Sequence, residues 1–254
     1  MSLTSKTTNA RQGQRGGTWE TIKIVIQALL LALVVRTLLF QPFNIPSGSM
    51  MDTLLIGDYL FVSKYAYGYS RFSLPFSPPI FQGRILGSMP ERGDIVVFKL
   101  PKDNATDYIK RVIGLPGDRI QMIDGRLQIN GKAVQREQLP DVVQKNAFGD
   151  ETRITRWKET LPNGVSYETL DLDPNSFEDN TPVYEVPAGH LFMMGDNRDN
   201  STDSRVLGAV GYVPYENLIG RAEVIFFSVK EGEPAWTFWR WPWSVRFDRI
   251  FKFL

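Results

Sequence analysis

The hydrophobic pattern of this chain divides into one long apolar run and a series of short alternating ones. From Ile22 to Phe40 the residues are predominantly apolar, interrupted chiefly by Lys23, Gln27 and Arg36. As a helix, a run of about nineteen residues spans roughly 28 Å, close to the hydrocarbon thickness of a bilayer. Lys23 and Arg36 lie near its ends, where long cationic side chains reach the interface. Beyond Phe40 the period shortens to two. Strands are expected at Asp58–Val62, Asp94–Phe98, Tyr108–Ile113, Arg126–Ile129, Pro182–Val186, Leu191–Met194, Ala209–Val213 and Ala222–Val229. Asp124-Gly125 and Asn130-Gly131 are hairpin signals on either side of the Arg126 strand. No helical period of useful length competes and no internal repeat is present. The pattern predicts a mostly β protein: an antiparallel, barrel-like domain behind one N-terminal transmembrane helix.

The expected organisation is a disordered cytoplasmic N-terminus over 1–20, a transmembrane helix over 21–40, and an exterior β-rich domain over 41–254. Residues 135–180 are polar with weak strands and read as an exposed inserted subdomain. Residues 70–90, rich in Pro, Gly, Ser and Phe, read as an irregular apolar loop. A cleaved leader would need small residues after the apolar run. Leu38-Leu39-Phe40-Gln41-Pro42-Phe43 is bulky, which favours an uncleaved anchor over a signal peptide, a surface-lying helix or a core helix. Lys6, Arg11, Arg15 and Lys23 precede the run with only Glu20 opposing, so the N-terminus is expected in the cytoplasm. The tail over 236–254 interleaves tryptophan and phenylalanine with arginine and lysine. It fits a membrane–water interface and equally an aromatic cap on the core.

Composition narrows the chemistry. There is no cysteine, which excludes thiol nucleophiles and cysteine-bound zinc. The single histidine, His190, sits after a Pro-Ala-Gly turn and reads as a strand-start residue. A net charge of +1 gives no basic field for nucleic acid. If the chain performs nucleophilic catalysis, lysine is the remaining base.

Two residues stand out for that chemistry. Ser49 lies in Pro46-Ser47-Gly48-Ser49, a turn able to present a hydroxyl and nearby N–H groups to a carbonyl. Lys110 lies in Tyr108-Ile109-Lys110-Arg111-Val112, where alternation puts Tyr108, Lys110 and Val112 on one face. An apolar face is where lysine loses its charge, as a base must. A third segment, Gly195 to Arg205, is dense in polar groups. Asp196, Asp199 and Asp203 have the spacing of oxygen ligands, but Arg198 and Arg205 intervene, so a hydrogen-bonded brace fits better than a calcium loop.

These segments, with Gly57-Asp58-Tyr59-Leu60-Phe61-Val62 and Gly114-Leu115-Pro116-Gly117-Asp118, resemble bacterial type I signal peptidase, a membrane-bound serine–lysine endopeptidase family. The match runs from about Phe43 to Val229 and leaves 135–180 without residue-specific correspondence. The resemblance implies Ser49 as nucleophile, Lys110 as general base, and Ser47 as a hydroxyl donor to the oxyanion beside the Ser49 N–H. It implies that Ser201 orients Lys110 and that Asp196, Arg111, Asp203 and Arg205 form supporting ion pairs. Phe43, Ile45, Met50, Leu54, Leu60 and Tyr108 match positions lining shallow pockets for small residues, giving cleavage of Ala-x-Ala type. It further implies exported preproteins as substrates at the outer face of a bacterial inner membrane, membrane lipid and the translocation machinery as neighbours, and no metal or cofactor. Asp52 departs from the family's usual proline. A self-cleaving repressor-type peptidase would carry a DNA-binding domain in place of an anchor. A Ser-x-x-Lys acyl-enzyme fails because Met50-Met51-Asp52 puts no lysine in register. A catalytically silent tethered module would lack Ser49 or Lys110.

Overall fold

The computed structural model describes residues 17–145 and 151–254. Helix α1 runs Gly17–Leu38, with Glu20 in its first turn and Arg36 in its last, charges that complement the helix dipole. None of its residues is buried. It starts before the expected boundary and stops short of Phe40. The expected disorder at 1–16 lies outside the described residues. The helix ends where β1 (Phe40–Asn44) begins to pair with β2 (Asp58–Ser63), Phe40 opposite Ser63. Pro42 within that strand has no N–H for continuing a helix.

The remaining strands are β3 (Ile95–Lys99), β4 (Asp107–Gly114), β5 (Arg119–Ile123), β6 (Arg126–Ile129), β7 (Lys132–Ala133), β8 (Gln135–Lys145), β9 (Glu151–Thr160), β10 (Ser166–Asp171), β11 (Tyr184–Glu185), β12 (His190–Met194), β13 (Val213–Pro214), β14 (Leu218–Ser228) and β15 (Lys252–Phe253); a short helix α2 (Trp241–Ser244) precedes β15. The main sheet has the order β1-β2-β14-β3-β4-β12-β13, with β15 on β14, and all these pairings are antiparallel. Register shifts along β14 bend it as it passes from β2 to β3. The result is a curled half-barrel. A smaller sheet, β11-β5-β6-β7, is built on the two hairpin signals: Asp124, Gly125, Asn130 and Gly131 all have positive φ, as type I′ turns require.

Three regions differ from expectation. Residues 135–180 hold two of the longest strands, β8 and β9 of 11 and 10 residues, in a three-stranded sheet β10-β9-β8. Much of the β9 surface is solvated, so its polar residues hide the ladder from a hydrophobicity reading. Conversely, most of Ala209–Val213 is not strand. Ala209 and Val210 donate to Val206 O in a turn, and Gly211 takes a φ of +59°, leaving only Val213 to start β13. The Pro182 strand shrinks to Tyr184–Glu185, between two prolines that cannot donate to a ladder.

Residues 70–90 are irregular as expected. Arg84 pins the stretch by donating to the carbonyls of Tyr67, Gly68, Tyr215, Glu216 and Leu218. In the tail, Trp241 packs against Phe227 of β14, while Trp236, Phe238, Trp243, Phe247 and Phe251 stay largely exposed.

Candidate active site

The site forms where the curled sheet leaves two strand edges unpaired. Among the described residues β1 has only β2 as neighbour. β4 pairs with β3 along Asp107–Arg111, but on its other side β12 pairs only with Arg111, Val112 and Gly114. The edge of Asp107–Lys110 is therefore free, facing β1 across a cleft of about 480 Å³. Phe43, Ile45, Ser47, Ser49, Tyr108 and Lys110 line it. Met50, Leu54 and Leu60 do not. They are fully buried in the core cluster behind Ile45, supporting the cleft floor without facing it. Val97 and Ile109, which sequence reasoning missed, complete the apolar lining.

Lys110 Nζ lies 2.5 Å from Ser49 Oγ, and the lysine is 3% exposed. Alternation along β4 places it beside buried Val112, as the pattern indicated. Burial lowers its pKa from 10.5 to about 8, with Arg205 assisting and Asp203 and Asp196 opposing. At pH 7 about one lysine in ten is then neutral. The Tyr108 ring sits 5.5 Å from the amine. Ser47 is exposed at the cleft rim, and among the described residues the Ser49 N–H has no protein acceptor. A neutral amine against a hydroxyl, beside a free N–H and a second hydroxyl, can activate an alcohol toward a carbonyl and receive the oxyanion.

The segment bearing Ser49 is held from several directions. Arg111 Nε and Nη2 form a bidentate pair with Asp196 at 2.9 and 2.7 Å, and Thr53 Oγ1 also donates to Asp196. Asn197 donates its N–H to Ser49 O and its amide to Gly48 O. Asp203 is fully buried. Burial opposes its ionisation, but Arg205 and donors from Gly195 and Ser201 hold it below the usual carboxylate range. The hydroxyl of Ser201 donates to Asp203 at 2.8 Å.

Gly195 is required by space. A Cβ there would lie 2.2 Å from Ser201 Oγ and 2.5 Å from Ser49 O. Residues 135–180 also bear on the site: Glu159 pairs with Arg198, Glu178 with Arg205, and Arg156 with Asp52 at 3.1 Å. Arg249 and Arg246, near the C-terminus, close the far side. Arg249 binds buried Asp58 and donates to Thr53 O at 2.9 Å, and Arg246 donates to Ile56 O at 2.9 Å. These partners had no sequence signal beyond charge. His190 begins β12, with Nδ1 against Ala188 O, outside the cleft.

A family model described as signal peptidase, peptidase S26, matches residues 18–227. A signal peptidase I of Rickettsia typhi is 44% identical, across 88% of this chain and 89% of its own. One from Rickettsia canadensis is 41% identical, across 99% of this chain and 97% of its own. The crystal structure of a signal peptidase I from Enterococcus faecalis is similar at 27% identity, over 53% of this chain and 97% of that one, with a TM-score of 0.31. This chain belongs to the signal peptidase family, peptidase S26.

Proposed function

We propose that this chain is a membrane-anchored serine endopeptidase that removes N-terminal signal peptides from exported preproteins. The observation that carries the reading is the 2.5 Å contact between Ser49 Oγ and a buried Lys110. Neutral Lys110 takes the hydroxyl proton as Ser49 Oγ attacks the scissile carbonyl. The Ser49 N–H and the Ser47 hydroxyl receive the oxyanion. The lysine ammonium then protonates the departing amine, and the regenerated amine activates the water that releases the acyl-enzyme. Asp196, Arg111, Asp203, Arg205 and Ser201 keep the two reacting groups in register.

The substrate adds as an extended strand between the free edges of β1 and β4. Shallow pockets walled by Phe43, Ile45, Val97, Tyr108 and Ile109 accept alanine and reject bulk, which gives the Ala-x-Ala rule. α1 anchors the chain in a bacterial inner membrane. The basic flank keeps its N-terminus cytoplasmic and puts 41–254 outside, next to the translocation machinery. The exposed aromatic residues of 236–254, interleaved with arginine, rest in the lipid interface.

The test is cleavage of a purified preprotein carrying an Ala-x-Ala site, in lipid or detergent, by the wild type and by Ser49→Ala. Product ending at the small-residue site from the wild type alone is expected. No product from folded wild type would return the chain to the silent tethered module, with Asp52 the first residue to examine.

A further inference from the structure

A second cavity, of about 590 Å³, lies between the end of α1 and the exterior domain, apart from Ser49. Three cations line it: Arg36 from the last helical turn, Lys64 just after β2, and Lys99 at the end of β3. Only one carboxylate answers them. Asp107 pairs with Lys99 at 2.7 Å. Among the described residues neither Arg36 nor Lys64 has an ion-pair partner. Lys64 is 3% exposed and donates to Ser73 O at 2.5 Å. A buried ammonium without a counter-ion is costly to keep. Burial, and then the nearby Arg36, depress its pKa to about 8. The rim is apolar: Leu33 of α1 on one side, Phe72 and the fully exposed Phe76 on the other.

Two unpaired cations under an apolar rim, at the end of a bilayer-length helix, match one ligand in shape and charge. We infer that this cavity binds the headgroup phosphate of an anionic phospholipid, with Arg36 and Lys64 on the phosphate oxygens and an acyl chain along Leu33. Binding supplies the missing counter-charge and fixes the domain on its anchor at the level of the headgroups. The inference rests on α1 being a membrane anchor, and is independent of the peptidase chemistry.

The test uses the full chain in nanodiscs of equal phosphatidylglycerol and phosphatidylcholine, with retained lipids counted by native mass spectrometry after release. The wild type should keep phosphatidylglycerol preferentially. Arg36→Gln should cut that preference about fivefold, the scale of one basic residue facing an anionic leaflet. Lys64→Met should act similarly, and the double variant should abolish the preference. Arg36 is exposed, so its substitution does not threaten folding. Equal retention of the two lipids, or a preference unchanged in both variants, overturns the inference. Displacement by millimolar inorganic phosphate assigns the site to free phosphate and overturns the lipid assignment. Failure of the protein to co-elute with the discs refutes the anchor, and the lipid site with it; co-elution without lipid preference refutes the site alone.

Discussion

Replacing Lys110 by methionine should abolish cleavage while making the protein more stable at neutral pH. The amine is nearly inaccessible, and burial has moved its pKa from 10.5 to about 8. At about 1.4 kcal/mol per tenfold change in acid dissociation, that fall corresponds to about 3.4 kcal/mol. Below pH 8 the lysine is charged in both folded and unfolded chains, so the whole penalty weighs on the fold. Between pH 8 and 10.5 the folded protein sheds the proton while the unfolded chain keeps it, and the penalty shrinks to about 0.4 kcal/mol. Methionine removes the penalty and forfeits the contact to Ser49 Oγ, worth about 1 kcal/mol. The expected net gain at pH 7 is about 2 kcal/mol, or a rise in Tm of about 4–8 °C. The gain should disappear by pH 10.5. Urea unfolding of wild type and variant in one detergent, at both pH values, measures it. A variant less stable than wild type at pH 7, or a gain independent of pH, would refute the argument that burial depresses the Lys110 pKa.

The same group sets the rate profile: kcat/KM should climb about tenfold per pH unit below pH 8 and level off above it, and activity flat down to pH 5 would exclude Lys110 as the base. Ser47→Ala should lower kcat about 10²-fold with little change in KM, as loss of one oxyanion donor does; single-turnover kinetics would reveal an unchanged rate and remove Ser47 from that role. Gly195→Ala should part Ser201 from Ser49, destabilising the fold by about 1–3 kcal/mol and lowering kcat with it; a crystal structure showing both serines unmoved would contradict the close contact. Arg111→Ala leaves Asp196 buried without its cation and should cost about 3–5 kcal/mol, read as a lower urea midpoint.

The sequence carried most of the chemistry because local rules determine it. Alternation along β4 put Lys110 on the face of Val112, and glycine-containing dipeptides marked both hairpins of the smaller sheet. What it could not show were relations between distant segments with ordinary compositions. The polar ladder of β8 and β9 has no apolar stripe to announce it, yet Glu159 and Arg156 reach the loop at Arg198 and the turn at Asp52. Met50, Leu54 and Leu60 look like pocket residues in a linear reading, and only the curl of the sheet turns them into core. Ser201 was expected beside Lys110, and its donated hydrogen bond to the buried carboxylate of Asp203 had no signal in the sequence.

The bond from Arg249 to the carbonyl of Thr53 joins residues 196 positions apart. A ribosome adding about 5–20 residues per second needs roughly 10–40 s to cover that distance. Once Lys110 has been added, the growing chain holds both Ser49 and Lys110 but lacks the arginine that closes the Ser49 segment from behind. The contacts around Ser49 are therefore completed only after Arg249 has been made, and the timing of that completion is written into the order of the residues.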